Sequence, residues 1–330
     1  MENRLYPLTQ RRQRTSAARR ELAAAAHLSH RQFIQPLFVE EGIDQPRAVN
    51  GLKDIAVESI DTVLQQIEAD LSAGINKFLL FPVPQSRSER PGDFSFAAKL
   101  VDTIRSEFGS EIWLAADLCL CSYTTHGHCG ILNQLGDRLL NSPSVEILSN
   151  YALQLAQAGA DCIAPSDMMD GRIAAIRQKL DALGFDAVEI LSYAAKFSSQ
   201  WYGPFRDACH SAPSGTLKDR RSYQLSPFNA ELALEAARRD EAEGADMLMV
   251  KPAGNYTDII YRLRQQTSKP IVAYHVSGEY AAIESLADQG LLQREAAHLE
   301  IWTGLQRSGA NSIISYAARN AKHWISQQDY

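Results

Sequence analysis

Short apolar segments alternate with amphipathic segments along almost the whole chain, and this alternation constrains the fold more than any other feature. Strands that are apolar on both faces indicate a parallel sheet covered by helices on both sides. Eight such strand–helix repeats predict a (β/α)₈ barrel of the TIM type. The predicted strands are 33–40, 77–83, 112–120, 162–167, 188–196, 247–251, 271–277 and 312–316.

Between these strands, apolar residues recur at helical spacing, most clearly in 60–73, 145–158 and 229–243. Asn229 is a residue type that caps helix N-termini, and it begins the third of these segments. The sequence Gly-Ala-Asp occurs at 159–161 and again at 244–246, each time between a predicted helix and a predicted strand. Because glycine commonly ends a helix, this weak repeat supports a chain built from βα units.

Overall composition excludes several function classes. With 45% hydrophobic and 22% charged residues, the chain resembles ordinary soluble globular proteins. No apolar run reaches the ~18 residues that a membrane span needs, and the N-terminal residues lack the apolar core of a secretion signal. We therefore expect a cytoplasmic protein with no membrane partner. The net charge of −6 gives no reason to expect nucleic-acid binding.

The N-terminal segment differs in charge from the remainder of the chain. Residues 1–31 contain seven arginines and only two glutamates, although the chain as a whole is acidic. We interpret residues 1–31 as an arm that precedes a barrel domain at 32–330. A basic segment of this kind either docks on an acidic neighbouring subunit or stays solvated.

Two lysines each end a predicted strand. Lys196 closes the fifth strand and Lys251 the sixth, which is the rim where barrels of this type place their active sites. Burial and a second ammonium group both lower the pKa of a lysine, and a neutral amine forms Schiff bases with carbonyl compounds. The pair therefore predicts an enzyme that holds two carbonyl compounds at once. The alternative is that each lysine buries only its stem and leaves its amine in water.

Three of the five cysteines lie close together, at Cys119, Cys121 and Cys129. In a cytosolic chain, such crowding favours metal binding or catalysis over disulfides. Three thiolates leave the fourth position of a tetrahedral zinc free for water or substrate, which is typical of a catalytic site. We therefore predict a catalytic zinc. The alternatives are reduced buried thiols, or a structural zinc completed by His126 or His128.

The longest irregular stretch, at about 197–224, follows the fifth strand and is predicted to form an active-site lid. Arginine suits the capture of carboxylates through two parallel hydrogen bonds, so a basic lid over two lysines favours a substrate with both a ketone and a carboxylate. The alternative is a solvated, charged loop. The basic residues of the lid are Arg206, Lys218, Arg220 and Arg221.

Long motifs throughout the chain resemble those of the porphobilinogen synthase family, also called 5-aminolevulinate dehydratase. The resemblance implies a lyase that condenses two molecules of 5-aminolevulinate into porphobilinogen, with loss of two waters, in tetrapyrrole and haem biosynthesis. The matching motifs are Phe-Pro-Val-Pro at 81–84, Asp-Leu-Cys-Leu-Cys at 117–121, Ala-Pro-Ser-Asp-Met-Met-Asp-Gly-Arg at 164–172, Tyr-Gly-Pro-Phe-Arg at 202–206, Met-Val-Lys-Pro at 249–252 and Val-Ser-Gly-Glu at 276–279.

The same resemblance implies roles for individual residues. Lys251 would form the Schiff base with the first substrate, and Lys196 would bind the second substrate. Asp117 would assist proton transfer. The carboxylate of the second substrate would bind to Arg206, Arg221 and Gln224, and that of the first to Ser277 and Tyr316.

Metal use and assembly are also implied by the resemblance. The three cysteines imply one catalytic zinc ion per subunit. Members with an allosteric magnesium have a glutamate fifteen positions before the Schiff-base lysine, where this chain has Ala236. Arg239 is typical of members without that ion, so we expect no allosteric magnesium. The family typically forms homo-octamers through an N-terminal arm, which is the role we expect for residues 1–31.

Some positions depart from the family pattern, including a short insertion at 211–216 and Asn311 in place of an aspartate. They leave open a specialised paralogue that feeds another pathway. A Schiff-base barrel enzyme of the aldolase type would need neither the second lysine nor the cysteines. A non-catalytic zinc-binding paralogue would be expected to lose a lysine or a cysteine, and this chain has lost none.

Overall fold

The computed structural model describes residues 10–328, so residues 1–9 of the predicted arm lie outside the described part. Eight parallel strands form a closed barrel because the first strand also pairs with the last, with Phe33 opposite Ile313. This confirms the predicted (β/α)₈ barrel. The strands are β1 (Phe33–Glu40), β2 (Arg47–Val49), β3 (Leu52–Glu58), β4 (Lys77–Val83), β5 (Trp113–Leu118), β6 (Ile131–Leu132), β7 (Leu139–Leu140), β8 (Cys162–Pro165), β9 (Glu189–Lys196), β10 (Met247–Lys251), β11 (Ile271–His275) and β12 (Ser312–Ser315).

Helices surround the barrel and bury their apolar faces against it. Asn229 caps α7, as expected, because its side chain accepts hydrogen bonds from the N–H groups of Glu231 and Leu232. Within residues 10–328, no helix is both long enough and apolar enough to cross a membrane. The helices are α1 (Ala17–Ala23), α2 (Ile60–Ser72), α3 (Ser95–Phe108), α4 (Asn141–Gln157), α5 (Arg172–Ala182), α6 (Gly203–Ala208), α7 (Ala230–Ala242), α8 (Thr257–Arg264), α9 (Ser277–Asp288), α10 (Arg294–Arg307) and α11 (Ala321–Ser326).

Several predicted strands extend too far at their C-terminal ends. The third ends at Leu118 rather than at residue 120, and the seventh ends at His275 because Ser277 already begins α9. The reason is the same in both cases. Rim residues leave the hydrogen-bonded sheet and enter loops, although they remain as apolar and as buried as the strand before them.

Two hairpins and a helix within the lid were not predicted. The antiparallel pair β2 and β3 lies beside β1, and the short pair β6 and β7 precedes α4. The lid was expected to be irregular, but it contains a 3₁₀ turn at Gln200–Tyr202 and the helix α6. Pro204 at the start of α6 is the local signal for this helix, since proline is favoured in a first turn.

The strands β9 and β10 shift register just before they end. Ser192 lies opposite Leu248, but Ala195 lies opposite Val250, so β9 has one residue more than β10 over this span. A bulge of this kind reverses which face of the sheet the following residues point to. It places Lys196 opposite Lys251, with both side chains directed to the same side of the sheet.

Candidate active site

Lys196 and Lys251 lie side by side at the C-terminal rim of the barrel. They are Cα partners on neighbouring strands, which are about 4.8 Å apart in a β-sheet. Only 5% of Lys196 and 4% of Lys251 is exposed. The structure therefore brings the two predicted lysines together and buries both.

Aromatic rings surround the amine of Lys251. Its Nζ lies 3.9 Å from the centroid of the Tyr274 ring, 4.9 Å from that of Tyr193 and 4.9 Å from that of Phe205. Burial lowers the pKa of Lys251 to about 7, and the nearby charge of Lys196 adds to this effect. A large share of Lys251 is therefore a neutral, nucleophilic amine at neutral pH.

Lys196 has a different environment. Its ammonium group donates a hydrogen bond to the backbone carbonyl of Ser166, which follows β8. The ring of Tyr193 lies 5.3 Å from its Nζ, so this one tyrosine contacts both lysine amines. The two lysines thus differ, since Lys196 has a polar partner where Lys251 has mainly rings.

The thiols of Cys119, Cys121 and Cys129 form a buried cluster beside the lysines, with the three sulfur atoms within 4.8 Å of one another. Zinc–sulfur bonds of about 2.3 Å place tetrahedral sulfurs about 3.8 Å apart, so this donor set fits zinc. Among residues 10–328, it is the one group of three or more histidine, cysteine or acidic side chains that could hold a metal ion. Hydrogen bonds from Cys119 and Cys121 keep the pKa of the Cys129 thiol well below its usual value.

The two histidines near the cysteines make other contacts. The Nδ1 of His128 lies 3.0 Å from the Tyr223 hydroxyl and its Nε2 lies 2.9 Å from the Leu217 carbonyl. The Nδ1 of His126 accepts a hydrogen bond from the backbone N–H of His128. Because both ring nitrogens of His128 already have partners, the geometry favours a three-cysteine set over one completed by His128.

The two neighbouring lid arginines point in opposite directions. Arg220 is 4% exposed and its Nη2 donates to the carbonyls of Gly127 (2.9 Å) and Ser211 (2.6 Å). Burial opposes the charge of Arg220, but the negative charges of Cys129, Tyr223, Cys121 and Cys119 together outweigh burial and raise the pKa of Arg220. By contrast, 78% of the Arg221 side chain is exposed, and it pairs with Asp219. The structure therefore leaves the predicted Arg221 in solvent and buries its neighbour Arg220 instead.

The reason for this difference is local. The Asp219 carboxylate accepts a hydrogen bond from the backbone N–H of Arg221 and a second from its guanidinium. This turn holds Arg221 on the solvent side, so the residue before it points inward. Two adjacent arginines in a sequence carry no signal that distinguishes the buried one.

Several buried polar atoms in the lid have no protein partner. They are the Nε atoms of Arg206 and Arg220, together with both amide atoms of Gln224. Leaving buried polar groups unpaired costs roughly 1–3 kcal/mol each. Three side chains, two of them cationic, therefore each keep a buried donor atom without a partner, which is the arrangement that an anionic ligand would satisfy.

Ser277 and Tyr316 follow β11 and β12, on the side of Lys251 away from Lys196. The Ser277 hydroxyl accepts a hydrogen bond from the N–H of Phe205 at 3.2 Å, which ties it to the lid. The Tyr316 hydroxyl lies 3.2 Å from that of Tyr274, whose ring contacts the Lys251 amine. Both predicted residues are thus within the surroundings of Lys251.

Asp117 is the last of the residues for which the sequence implies a role. It is buried near the end of β5, and burial raises its pKa to about 6, although Lys196 and Lys251 oppose the shift.

The contacts of Tyr193 and Tyr274 with the amines were not anticipated from the sequence. Both tyrosines sit inside apolar strands, where they are indistinguishable from core residues.

The chain is similar to known proteins in both sequence and structure. A family model described as delta-aminolevulinic acid dehydratase matches residues 8–324. A Bacillus subtilis protein named delta-aminolevulinic acid dehydratase is 40% identical over 321 residues, covering 96% of this chain and 98% of that protein. A Chlamydia pneumoniae protein of the same name is 43% identical over 314 residues, covering 93% of each chain. The crystal structure of the Toxoplasma gondii delta-aminolevulinic acid dehydratase (porphobilinogen synthase) in complex with the reaction product porphobilinogen has a TM-score of 0.92 and 34% identity, and the match covers 97% of this chain and 92% of that one.

Proposed function

The chain belongs to the delta-aminolevulinic acid dehydratase family, and we therefore propose that it condenses two molecules of 5-aminolevulinate into porphobilinogen with loss of two waters. It is an enzyme of the hydro-lyase class, and its product would feed tetrapyrrole biosynthesis, including that of haem. The observation that best supports the proposal is the register pairing of two buried lysines on one rim.

The pairing suits a reaction between two ketones. Holding both reactants in one orientation converts a bimolecular encounter into an effectively unimolecular step, which can contribute about 7–11 kcal/mol to lowering the barrier. A single-lysine enzyme would have no use for the second buried amine. Both lysines are buried at an energetic cost that only a partner or a task offsets.

Lys251 would form the first Schiff base. Its neutral amine attacks the ketone carbon of the first 5-aminolevulinate, and water leaves as the imine forms. The protonated imine draws electrons from the adjacent carbon, which can then lose a proton and form a new carbon–carbon bond. The rings around Nζ, with Tyr274 the nearest, would stabilise this cation through their negative faces.

Lys196 would hold the ketone of the second substrate. Its hydrogen bond to the Ser166 carbonyl fixes the direction of the amine before substrate arrives. Tyr193, which contacts both amines, would set the distance between the two bound ketones.

The carboxylates of the two substrates would bind on opposite sides of the lysines. Arg206, Arg220 and Gln224 carry the unpaired atoms that suit the carboxylate of the second substrate. Ser277 and Tyr316, beside Lys251, suit that of the first. This assignment replaces Arg221 with Arg220, because only Arg220 is directed inward.

Cys119, Cys121 and Cys129 would hold a catalytic zinc ion, one per chain. When bound there, zinc would supply Lewis-acid polarisation of the second substrate or an activated hydroxide. Asp117, whose pKa of about 6 lies close to neutrality, would accept and return a proton at its carboxylate beside the two lysines.

Assembly and regulation are further parts of the proposal. We place the homo-octamer contacts in the arm, residues 1–31; within its described part, α1 has no buried residue in the single chain. The guanidinium of Arg239 pairs with Asp170 at 2.6 Å and with Asp240 at 3.0 Å, which supports an enzyme that needs no allosteric magnesium there. The barrel limits of 32–330 and the cytoplasmic location stay predictions.

The test is product formation by the purified protein. Zinc-loaded protein is incubated with 5-aminolevulinate, and porphobilinogen is measured. We expect turnover in wild type and none above background in Lys251→Met. Wild-type protein that holds zinc but forms no porphobilinogen would overturn the proposal.

A further inference from the structure

Glu279 lies in the first turn of α9, and its carboxylate is buried between two segments of the rim. One carboxylate oxygen accepts the N–H of Gly254 at 2.9 Å, in the turn after β10. The other accepts the N–H of Val276 at 2.8 Å, at the start of α9. With 8% of the residue exposed, one side chain joins two segments that are distant in sequence.

The two segments carry residues that would bind opposite ends of the same substrate. The turn at 253–255 is separated from Lys251 by Pro252 alone, and Val276 immediately precedes Ser277. The amine of Lys251 would hold the ketone, and the hydroxyl of Ser277 would hold the carboxylate. The distance between the two groups therefore depends on how these segments are joined.

The chain around Glu279 is built for this close contact. A Cβ atom on Gly254 would lie 2.7 Å from the Glu279 carboxylate oxygen, so any other residue at this position would force the carboxylate to shift. Burial raises the pKa of Glu279 to about 7, although backbone N–H groups of both segments oppose the shift. A buried carboxylate with this cost is not needed merely to fill space.

We infer that Glu279 is a positioning residue, which fixes the spacing between the Lys251 amine and the Ser277 hydroxyl and so sets the geometry of the first substrate. The inference rests on the proposed function. Glu279 itself need not touch the substrate, because its effect passes through the backbone of the two segments.

The competing explanation is that Glu279 only caps α9. A glutamate at the third helical position commonly reaches back to the N-cap N–H, and glutamine does this equally well. Glu279→Gln therefore separates the two roles. Glutamine has one acceptor oxygen and can keep the bond to Val276, but its amide group cannot accept the N–H of Gly254.

The matched control is Glu284→Gln, on the same helix. Glu284 is also buried, at 5% exposure, but it pairs with Arg294 at 2.7 Å and with His298 at 3.1 Å, away from the two lysine-bearing strand ends. Both substitutions neutralise one buried carboxylate of α9. Only the first breaks the connection between the two rim segments.

The experiment compares kcat, KM and borohydride trapping of 5-aminolevulinate on Lys251 in the zinc-loaded proteins, each normalised to the folded fraction. For Glu279→Gln we expect kcat and the trapping rate to fall together by about 10- to 100-fold, because the reacting groups are misplaced. Glu284→Gln should lower thermal stability and leave both rates unchanged. If the rates of Glu279→Gln equal those of the control, Glu279 only caps α9 and the inference is wrong. Absence of trapping in wild type would instead refute the proposed function.

A second variant tests the connection from its other end. Gly254→Ala pushes against the carboxylate oxygen while Glu279 itself is unchanged. We expect it to lower the trapping rate as Glu279→Gln does, and the double variant to be less than additive, because both changes break one interaction. Fully additive effects would show that the two residues act separately and would overturn the inference.

Discussion

Lys196 and Lys251 face each other across neighbouring strands because β9 contains one residue more than β10 before the two lysines. If the register of the Ser192–Leu248 pair continued without a shift, Ala195 would lie opposite Lys251, and the Lys196 side chain would point to the other face of the sheet. The bulge thus creates the pair of amines on which the proposed condensation depends.

The second amine can be tested by replacing Lys196 with Met, which keeps an apolar stem of similar length. We expect porphobilinogen formation to fall by ~10²-fold or more, because the second ketone loses its anchor. Trapping of substrate on Lys251 should persist, and the pKa of Lys251 should rise because a nearby positive charge is gone. Steady-state rates and borohydride trapping check both points. Full activity of Lys196→Met would exclude a two-lysine mechanism.

The lid arginines provide a matched pair of variants. Arg220→Ala should lower kcat/KM by ~30-fold or more, equivalent to about 2–5 kcal/mol, because the substrate carboxylate would lose a buried, charged partner. Arg221→Ala removes an exposed side chain that pairs with Asp219, so we expect little change in activity or stability. Measuring kcat/KM of the two variants at saturating zinc shows which arginine contributes to activity. A larger loss in Arg221→Ala than in Arg220→Ala would restore the assignment made from the sequence.

Zinc binding is expected to depend on the cysteine cluster and not on cysteine content in general. Wild-type protein should bind one zinc ion per chain, lose activity when the ion is stripped by a chelator, and regain activity when zinc is returned. Cys129→Ser should bind no zinc at this site. The control is Cys162→Ala, whose thiol is buried elsewhere and contacts the Ile163 carbonyl. Measured zinc content gives the answer independently of activity. Full activity after complete removal of zinc would show that the three cysteines do not hold a catalytic metal ion.

The pH dependence follows from Lys251. Its pKa in the folded protein is lowered to about 7 from the usual 10.5, so the neutral amine accumulates as the pH rises through 7. We expect the rate of imine formation to rise with pH up to about 8 and then level off. Between pH 7 and 10.5 the unfolded chain binds the extra proton, so this group makes the folded protein more stable as the pH rises.

The stability part of this prediction has its own control. The difference in unfolding free energy between wild type and Lys251→Met should change with pH in the same window, because Met does not titrate. Denaturant titrations at several pH values between 6 and 10 measure it. A difference that is constant with pH would mean that the Lys251 amine keeps its usual pKa and is not desolvated.

The barrel itself could be predicted from the sequence because near-continuous apolar strands and amphipathic helices recur in a fixed order. The position of the candidate site followed, since Lys196 and Lys251 end strands and Cys119 comes directly after the end of another. The bulge in β9 could not be predicted, because Tyr193 and Ala194 are as apolar as the rest of that strand. Only the pairing with β10 shows that one of them is extra.

Contacts that depend on side-chain direction were also beyond the sequence. Arg220 and Arg221 are adjacent and chemically identical, and only the Asp219 turn decides which one is buried. Glu279 was noted only as part of a motif, since its partner Gly254 is 25 residues away along the chain. The order of elements is encoded locally, whereas the fine geometry of the rim arises from contacts between distant segments.

Mapping the covalent intermediate tests the proposed roles of the two lysines without relying on rates. Zinc-loaded wild-type protein is treated with 5-aminolevulinate and borohydride, digested, and analysed by mass spectrometry. We expect a reduced adduct on Lys251, with a further adduct on Lys196 once both sites are filled, and the peptide that contains position 251 should carry no adduct in the Lys251→Met control. Porphobilinogen formation without any adduct on Lys251, or with the adduct on a lysine outside the rim, would contradict these roles.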